Sequence, residues 1–272
     1  MVRLFLFVML TRATAAGAAP PAPQVPRTLS AAHAELKTWL IPYQHGETQL
    51  EGYFAYDDAF KGKRPGVIVI HEWKGRGDYV KRRSEMLARL GYAAFAVDMY
   101  GKGVYAQTHE EAARLSGAHR SDRALMRGRA LAGLNALTAQ KNVDASRLAA
   151  VGYCFGGMAV LELARSGAEI KGAVSFHGGL DTPQPAGPGE IKARILALHG
   201  AEDAHTGKQA AAFQEEMRAS RADWQMVYYG GAVHSFTVAE AGDDPSKGAA
   251  YNEAADRRSW QAMRDFLQEI FQ

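Results

Sequence analysis

The feature that most constrains this chain is Gly152-Tyr153-Cys154-Phe155-Gly156-Gly157, set between the apolar run from Arg147 to Gly152 and the helix-like run from Met158 to Arg165. Glycines two positions either side of a central residue permit a sharp, strained strand-to-helix turn in which neighbouring backbone comes close. In such a turn the central side chain stands at the carboxyl end of a strand, above a helix amino terminus whose dipole and free N–H groups stabilise an anion. That residue is Cys154. The pattern is short, and a free cysteine is commonly a small buried hydrophobe, so its neighbours must be weighed.

Three further residues follow predicted strands. Glu72 comes after Gly66–His71, Asp203 after Ile195–Gly200, and His234 after Trp224–Tyr229. The order nucleophile, acid, histidine is that of the α/β-hydrolases, and open α/β sheets gather their chemistry at strand carboxyl ends. Taken along the chain, strands are predicted at Leu36–Tyr43 and Thr48–Tyr56, a hairpin through His45-Gly46, and at Gly66–His71, Tyr92–Val97, Leu148–Tyr153, Gly172–Phe176, Ala193–Leu198 and Gln225–Tyr229. Most are continuous apolar runs, as expected of parallel strands covered on both faces. Helical patterns at Tyr79–Leu90, Ala124–Ala139, Met158–Ser166, Lys208–Arg221 and Asn252–Phe271 alternate with them, which predicts a doubly wound sheet. Thr108 to Arg123 reads either as a lid or as a solvated connecting helix.

The motifs His71-Glu72-Trp73 with Gly75, Asp98-Met99-Tyr100-Gly101, Gly152 to Gly157, His199-Gly200-Ala201-Glu202-Asp203 and Gly231-Ala232-Val233-His234-Ser235-Phe236 occur in order over roughly residues 45–270. Together they resemble the dienelactone hydrolase family. The resemblance implies an α/β-hydrolase fold, a Cys154, Asp203, His234 triad, Glu72 as the carboxylate that activates the thiol, and Trp73 beside Phe155 as oxyanion donors. It implies cleavage of ester or lactone bonds in a small substrate, of the carboxymethylenebutenolidase type, without a cofactor. Two departures bear on substrate. Val238 stands where the best-known members carry an arginine that holds the substrate carboxylate, and Lys74-Gly75-Arg76 replaces a common tryptophan. Lys74 or Arg76 could substitute for the missing charge or sit in water. A general carboxylesterase without dienelactone activity and a non-catalytic α/β-hydrolase scaffold that binds a ligand or partner are the competing readings.

At 272 residues and 47% hydrophobic, the chain suits one large α/β domain at 36–272. Residues 1–19 carry the parts of a secretory signal: Arg3, the apolar Leu4–Leu10 and a small-residue run. Residues 20–35 form a Pro/Ala-rich linker. Export to the periplasm or beyond is therefore expected, with cytoplasmic residence if the leader is not functional. Without Arg3 and Arg12 the chain has 30 basic against 29 acidic residues, which argues against a nucleic-acid partner. The Leu4–Leu10 stretch is too short to span a membrane. Cys154 is the only cysteine, so no internal disulfide forms. His71-Glu72 lacks a second histidine at the spacing of a metal signature, so no metal is expected. The sequence specifies no oligomeric state and is compatible with a monomer.

Overall fold

Continuous apolar runs fold as strands only where both faces are covered, and that is the arrangement in the computed structural model, which describes residues 35–272. The expected leader, and all but the last residue of the linker, lie outside the described residues. Eight strands, β1 (Leu36–His45), β2 (Thr48–Asp57), β3 (Arg64–Ile70), β4 (Ala93–Val97), β5 (Val143–Tyr153), β6 (Gly172–Phe176), β7 (Arg194–Gly200) and β8 (Trp224–Tyr229), form one sheet. Their order is β1-β2-β4-β3-β5-β6-β7-β8. The β1–β2 hairpin and the β2–β4 pair are antiparallel, and every other pair is parallel.

Side chains alternate across a strand, and here the alternation divides the interior into two layers. Ile68, Ile70, Phe95, Val97, Ala150, Ala173, Ile195 and Ala197 face α3 (Arg123–Thr138), α4 (Phe155–Arg165) and α5 (Ala210–Ser220). Their neighbours Val67, Val69, Ala94, Ala96, Val151, Val174, Leu196 and Leu198 face α1 (Asp78–Ala88) and α6 (Glu253–Ile270). This is the expected doubly wound α/β-hydrolase architecture. Among the described residues, no helix is long and apolar enough to cross a membrane.

The stretch Thr108–Arg123 forms a helix, α2 (His109–Ser121), begun by a capping box between Thr108 and Glu111. Asp122 then caps α3 by accepting from Leu125 N–H at 2.9 Å. Helix α2 is not wholly solvated, because Ala112, Ser116 and His119 are buried. Two boundaries differ from expectation for local reasons. Strand β5 starts at Val143 because its pairing with β3 jumps from Pro65↔Asp144 to Gly66↔Leu148, so polar residues interrupt the apolar run. Helix α4 starts at Phe155, and its two glycines in the first turn obscure the helical pattern.

Candidate active site

Cys154 sits at φ 54°, ψ −113°, directly between β5 and α4. A non-glycine residue adopts positive φ only when its surroundings enforce it. Here the enforcement is close packing on both sides. A Cβ on Gly152 would lie 2.0 Å from the carbonyl oxygen of Gly156, and one on Gly156 would lie 2.2 Å from that of Ile70. The amide of Cys154 donates to Phe176 O at 3.0 Å, tying the turn to β6. The first amide of α4, Phe155 N–H, finds no acceptor among the described residues.

The ends of β7 and β8 deliver the other two groups. His234 Nε2 lies 3.1 Å from Cys154 Sγ, and its Nδ1 lies 2.8 Å from Asp203 Oδ2. Asp203 also accepts from the amides of His205 and Thr206, at 2.9 and 3.1 Å, and from the Thr206 hydroxyl at 2.8 Å. Burial pushes this carboxyl up, but the His234 ring and Thr206 outweigh it and hold Asp203 well below the usual carboxylate range. Burial likewise pushes His234 down, while the Cys154 sulfur and the Asp203 carboxylate raise it to about 10. An acceptor fixed on Nδ1 leaves Nε2 to exchange a proton with the sulfur.

Glu72 follows β3 and lines a hollow of about 610 Å³ with Lys74, Tyr79, Val238 and Glu240. Cys154 and His234 line an adjoining hollow of about 530 Å³; Trp73, Ser235 and Ala249 border both. Among the described residues no hydrogen bond joins Glu72 to Cys154; the thiol's partner is His234. Burial lifts the Glu72 carboxyl to about 7, against the opposing pull of His234.

The surrounding histidines divide by role. His205 lines the Cys154 hollow. His177 packs behind His234 with ring centroids 5.4 Å apart, and burial together with His234 holds it well below the usual histidine range. A second positive charge behind His234 is thereby avoided. The Thr206 hydroxyl gives its only proton to Asp203, so at 3.4 Å it accepts from His199 Nε2. The Asp98 motif holds its own loop: the carboxylate accepts from the amides of Tyr100, Gly101 and Glu51.

Of the cations suspected as a substitute clamp, Arg76 pairs with Glu51 at 3.5 Å and Lys74 faces the Glu72 hollow. Among the described residues, the one formally charged arginine or lysine that lines the Cys154 hollow is Arg120, on α2. Sequence reasoning missed it. The signal was the polar Thr108–Arg123 stretch with its Thr108-x-x-Glu111 helix start, which places Arg120 in the last turn of a helix.

The family model for the dienelactone hydrolase family matches residues 50–271. The chain belongs to the dienelactone hydrolase family. Among solved structures, a dienelactone hydrolase-like promiscuous phosphotriesterase from metagenomic libraries is 42% identical with a TM-score of 0.83. That match covers 87% of this chain and 99% of the other. The dienelactone hydrolase of Anabaena variabilis shares the fold at 22% identity and a TM-score of 0.60, covering 84% of this chain and 98% of its own. An uncharacterised Caenorhabditis elegans protein is 40% identical over 144 residues, 52% of this chain and 90% of its own.

Proposed function

We propose that this member of the dienelactone hydrolase family hydrolyses ester or lactone bonds of a small substrate through Cys154, His234 and Asp203. The observation that carries the reading is the unbroken hydrogen-bonded line from Asp203 Oδ2 through His234 to Cys154 Sγ, at 2.8 and 3.1 Å. Within the Cys154–His234 pair the thiol proton rests on His234 Nε2, and the sulfur attacks the carbonyl carbon. The tetrahedral oxyanion is held by the amides of Trp73 and Phe155. Collapse expels the alcohol oxygen, which receives the proton from His234, and leaves a thioester on Cys154. Water then attacks the thioester, giving its proton to His234, and release of the acid restores the Cys154–His234 pair. In a lactone the alcohol stays attached to the acyl group. Glu72, which burial lifts to about 7, is in this reading an alternative acceptor to His234 for the thiol proton.

Arg120 supplies the charge that Val238 lacks, so an anionic substituent placed toward α2 is favoured over a neutral ester. A second electrophile follows from the metagenomic relative, which is described as a promiscuous phosphotriesterase and matches over 99% of its length. Sulfur attack on a phosphotriester would form a P–S bond and break the P–O bond to the leaving phenol. A panel of esters, thioesters, lactones and an aryl phosphotriester, run with wild type and Cys154→Ala, tests both electrophiles. Turnover retained in Cys154→Ala would reject the nucleophile. Loss of about 10³-fold or more is expected, with residual rate from the oxyanion donors.

A further inference from the structure

His71 lies at the bottom of the site, fully buried, and takes no part in the proton transfers above. Its two nitrogens have different partners. Nε2 is 3.2 Å from the backbone nitrogen of Met99, and Nδ1 is 2.5 Å from the carbonyl oxygen of Glu72. A backbone N–H can only donate, so Nε2 carries the lone pair and Nδ1 carries the proton, which goes to the Glu72 carbonyl. The ring is therefore neutral and in one tautomer.

The Glu72 carbonyl and the Trp73 N–H belong to the same peptide, and the described chain contains no cis peptide bond. In a trans peptide the two point to opposite sides. Drawing the carbonyl inward onto His71 therefore turns Trp73 N–H away from His71, and this N–H has no acceptor among the described residues. The Gly75 amide donates to the same carbonyl at 3.3 Å, and the Tyr100 hydroxyl fixes the next one, Trp73 O, at 2.9 Å. The His71 ring also stacks on Phe155, with centroids 5.8 Å apart and planes 23° from parallel. Phe155 bears the other free amide. One imidazole thus holds the peptide of one donor and packs on the residue of the other.

His119 completes the support. Its ring spans two carbonyls, Leu115 O at 3.0 Å from Nδ1 and Met99 O at 2.9 Å from Nε2, and meets Phe155 edge-on at 5.6 Å. The backbone of Met99 is thereby held between two histidines, one on its carbonyl and one on its N–H. Burial lowers both rings from the ordinary histidine value, His71 to about 4.

We propose that His71 is a positioning residue for acyl transfer, which sets the Trp73 amide as an oxyanion donor through its Nδ1–H bond to the Glu72 carbonyl. The inference rests on the assignment of Trp73 and Phe155 as the oxyanion pair. It predicts that His71 acts on the transition state and leaves ground-state binding alone.

Two substitutions separate positioning from simple packing. In His71→Asn the amide nitrogen takes the place of Nδ1 and keeps the donor to Glu72 O, but Met99 N–H loses its acceptor. In His71→Gln the longer amide reaches Met99 and offers it an oxygen, but the Glu72 bond is lost. The expected result is that His71→Gln keeps its melting temperature within a few degrees and loses about 10–100-fold in kcat with KM within about twofold. His71→Asn melts lower yet keeps kcat within about threefold, assayed well below both transitions. If kcat instead follows melting temperature through both variants, His71 is only a packing residue and the proposal is overturned. Should either variant fail to fold, side-chain nitrogen NMR of wild type decides, because an Nε2-protonated His71 is incompatible with the proposal and an Nδ1-protonated one is required by it. Active wild type beside inactive Cys154→Ala would leave the triad reading standing whichever way the His71 result falls.

Discussion

Two carboxylates reach this site from strand ends and are set to opposite tasks by their surroundings. Asp203 is held by two amides, a hydroxyl and the His234 ring, so it stays ionised. Among the described residues Glu72 has no such donors, and burial lifts it to about 7 from an ordinary value of 4.5. A folded-state pKa raised in this way contributes stability that is complete below about pH 4.5 and is lost as pH rises through about 7. Above pH 7 the fold holds a poorly solvated carboxylate. Glu72→Gln should therefore be more stable than wild type by about 1–3 kcal/mol at pH 8, with the difference shrinking toward pH 4.5. Urea denaturation at the two pH values checks this, and an equal difference at both would contradict it. The same substitution should remove an inflection near pH 7 from iodoacetamide labelling of Cys154, shifting labelling to lower pH. Identical labelling profiles would show Glu72 uncoupled from the thiol. Cys154, Asp203 and His234 were legible in the sequence because each ends an apolar run, so a local pattern implies a shared edge of the sheet. Arg120 and the two-sided bonding of His71 were not. They depend on how α2 and the loop after β4 pack over the elbow, which no local period encodes.

The elbow is the element on which the site depends, and its two outer glycines are required by contact distances. With only 2.0 Å between a Gly152 Cβ and the Gly156 carbonyl, an added methyl must push α4 off the end of β5. Gly152→Ala is expected to cost about 3 kcal/mol or more and to abolish turnover; thermal unfolding and the ester assay give the two readings. Wild-type stability in this variant would mean that the turn is less tightly packed than the distances imply. A second element fixes the rim. Arg165 is buried, pairs with Glu162 at 3.1 Å and Glu216 at 2.7 Å, and donates to Leu180 O. Glu216 in turn accepts from the amide of Ala186, so the proline-rich excursion at 178–189 is pinned at both ends to α4 and α5. The strand and helix sequence was readable from periodicity. The β3–β5 register jump at Pro65/Gly66 and the start of α4 inside a glycine pair were not, since both are set by long-range contacts.

For the whole molecule, the mostly parallel sheet brings four strand ends from 163 residues of chain, Glu72 to His234, to one edge. Family membership over residues 50–271 agrees with a site built by the entire domain rather than by one segment. Export is our proposal for residues 1–19, resting on Arg3, Leu4–Leu10 and the small residues that follow. Intact mass of protein taken from the cell envelope should lack Met1 and the apolar stretch; full-length soluble protein in the cytoplasm would reject it. Passage of acyl groups through the sulfur of Cys154 is read from the intact mass of the protein itself. Wild type quenched in acid within the first turnovers on an activated ester should carry one added acyl group, mapped to the Cys154 peptide and removed by hydroxylamine, while Cys154→Ala carries none. Hydrolysis in wild type with no acyl adduct on Cys154, or the same adduct on Cys154→Ala, would rule out acyl transfer through this sulfur.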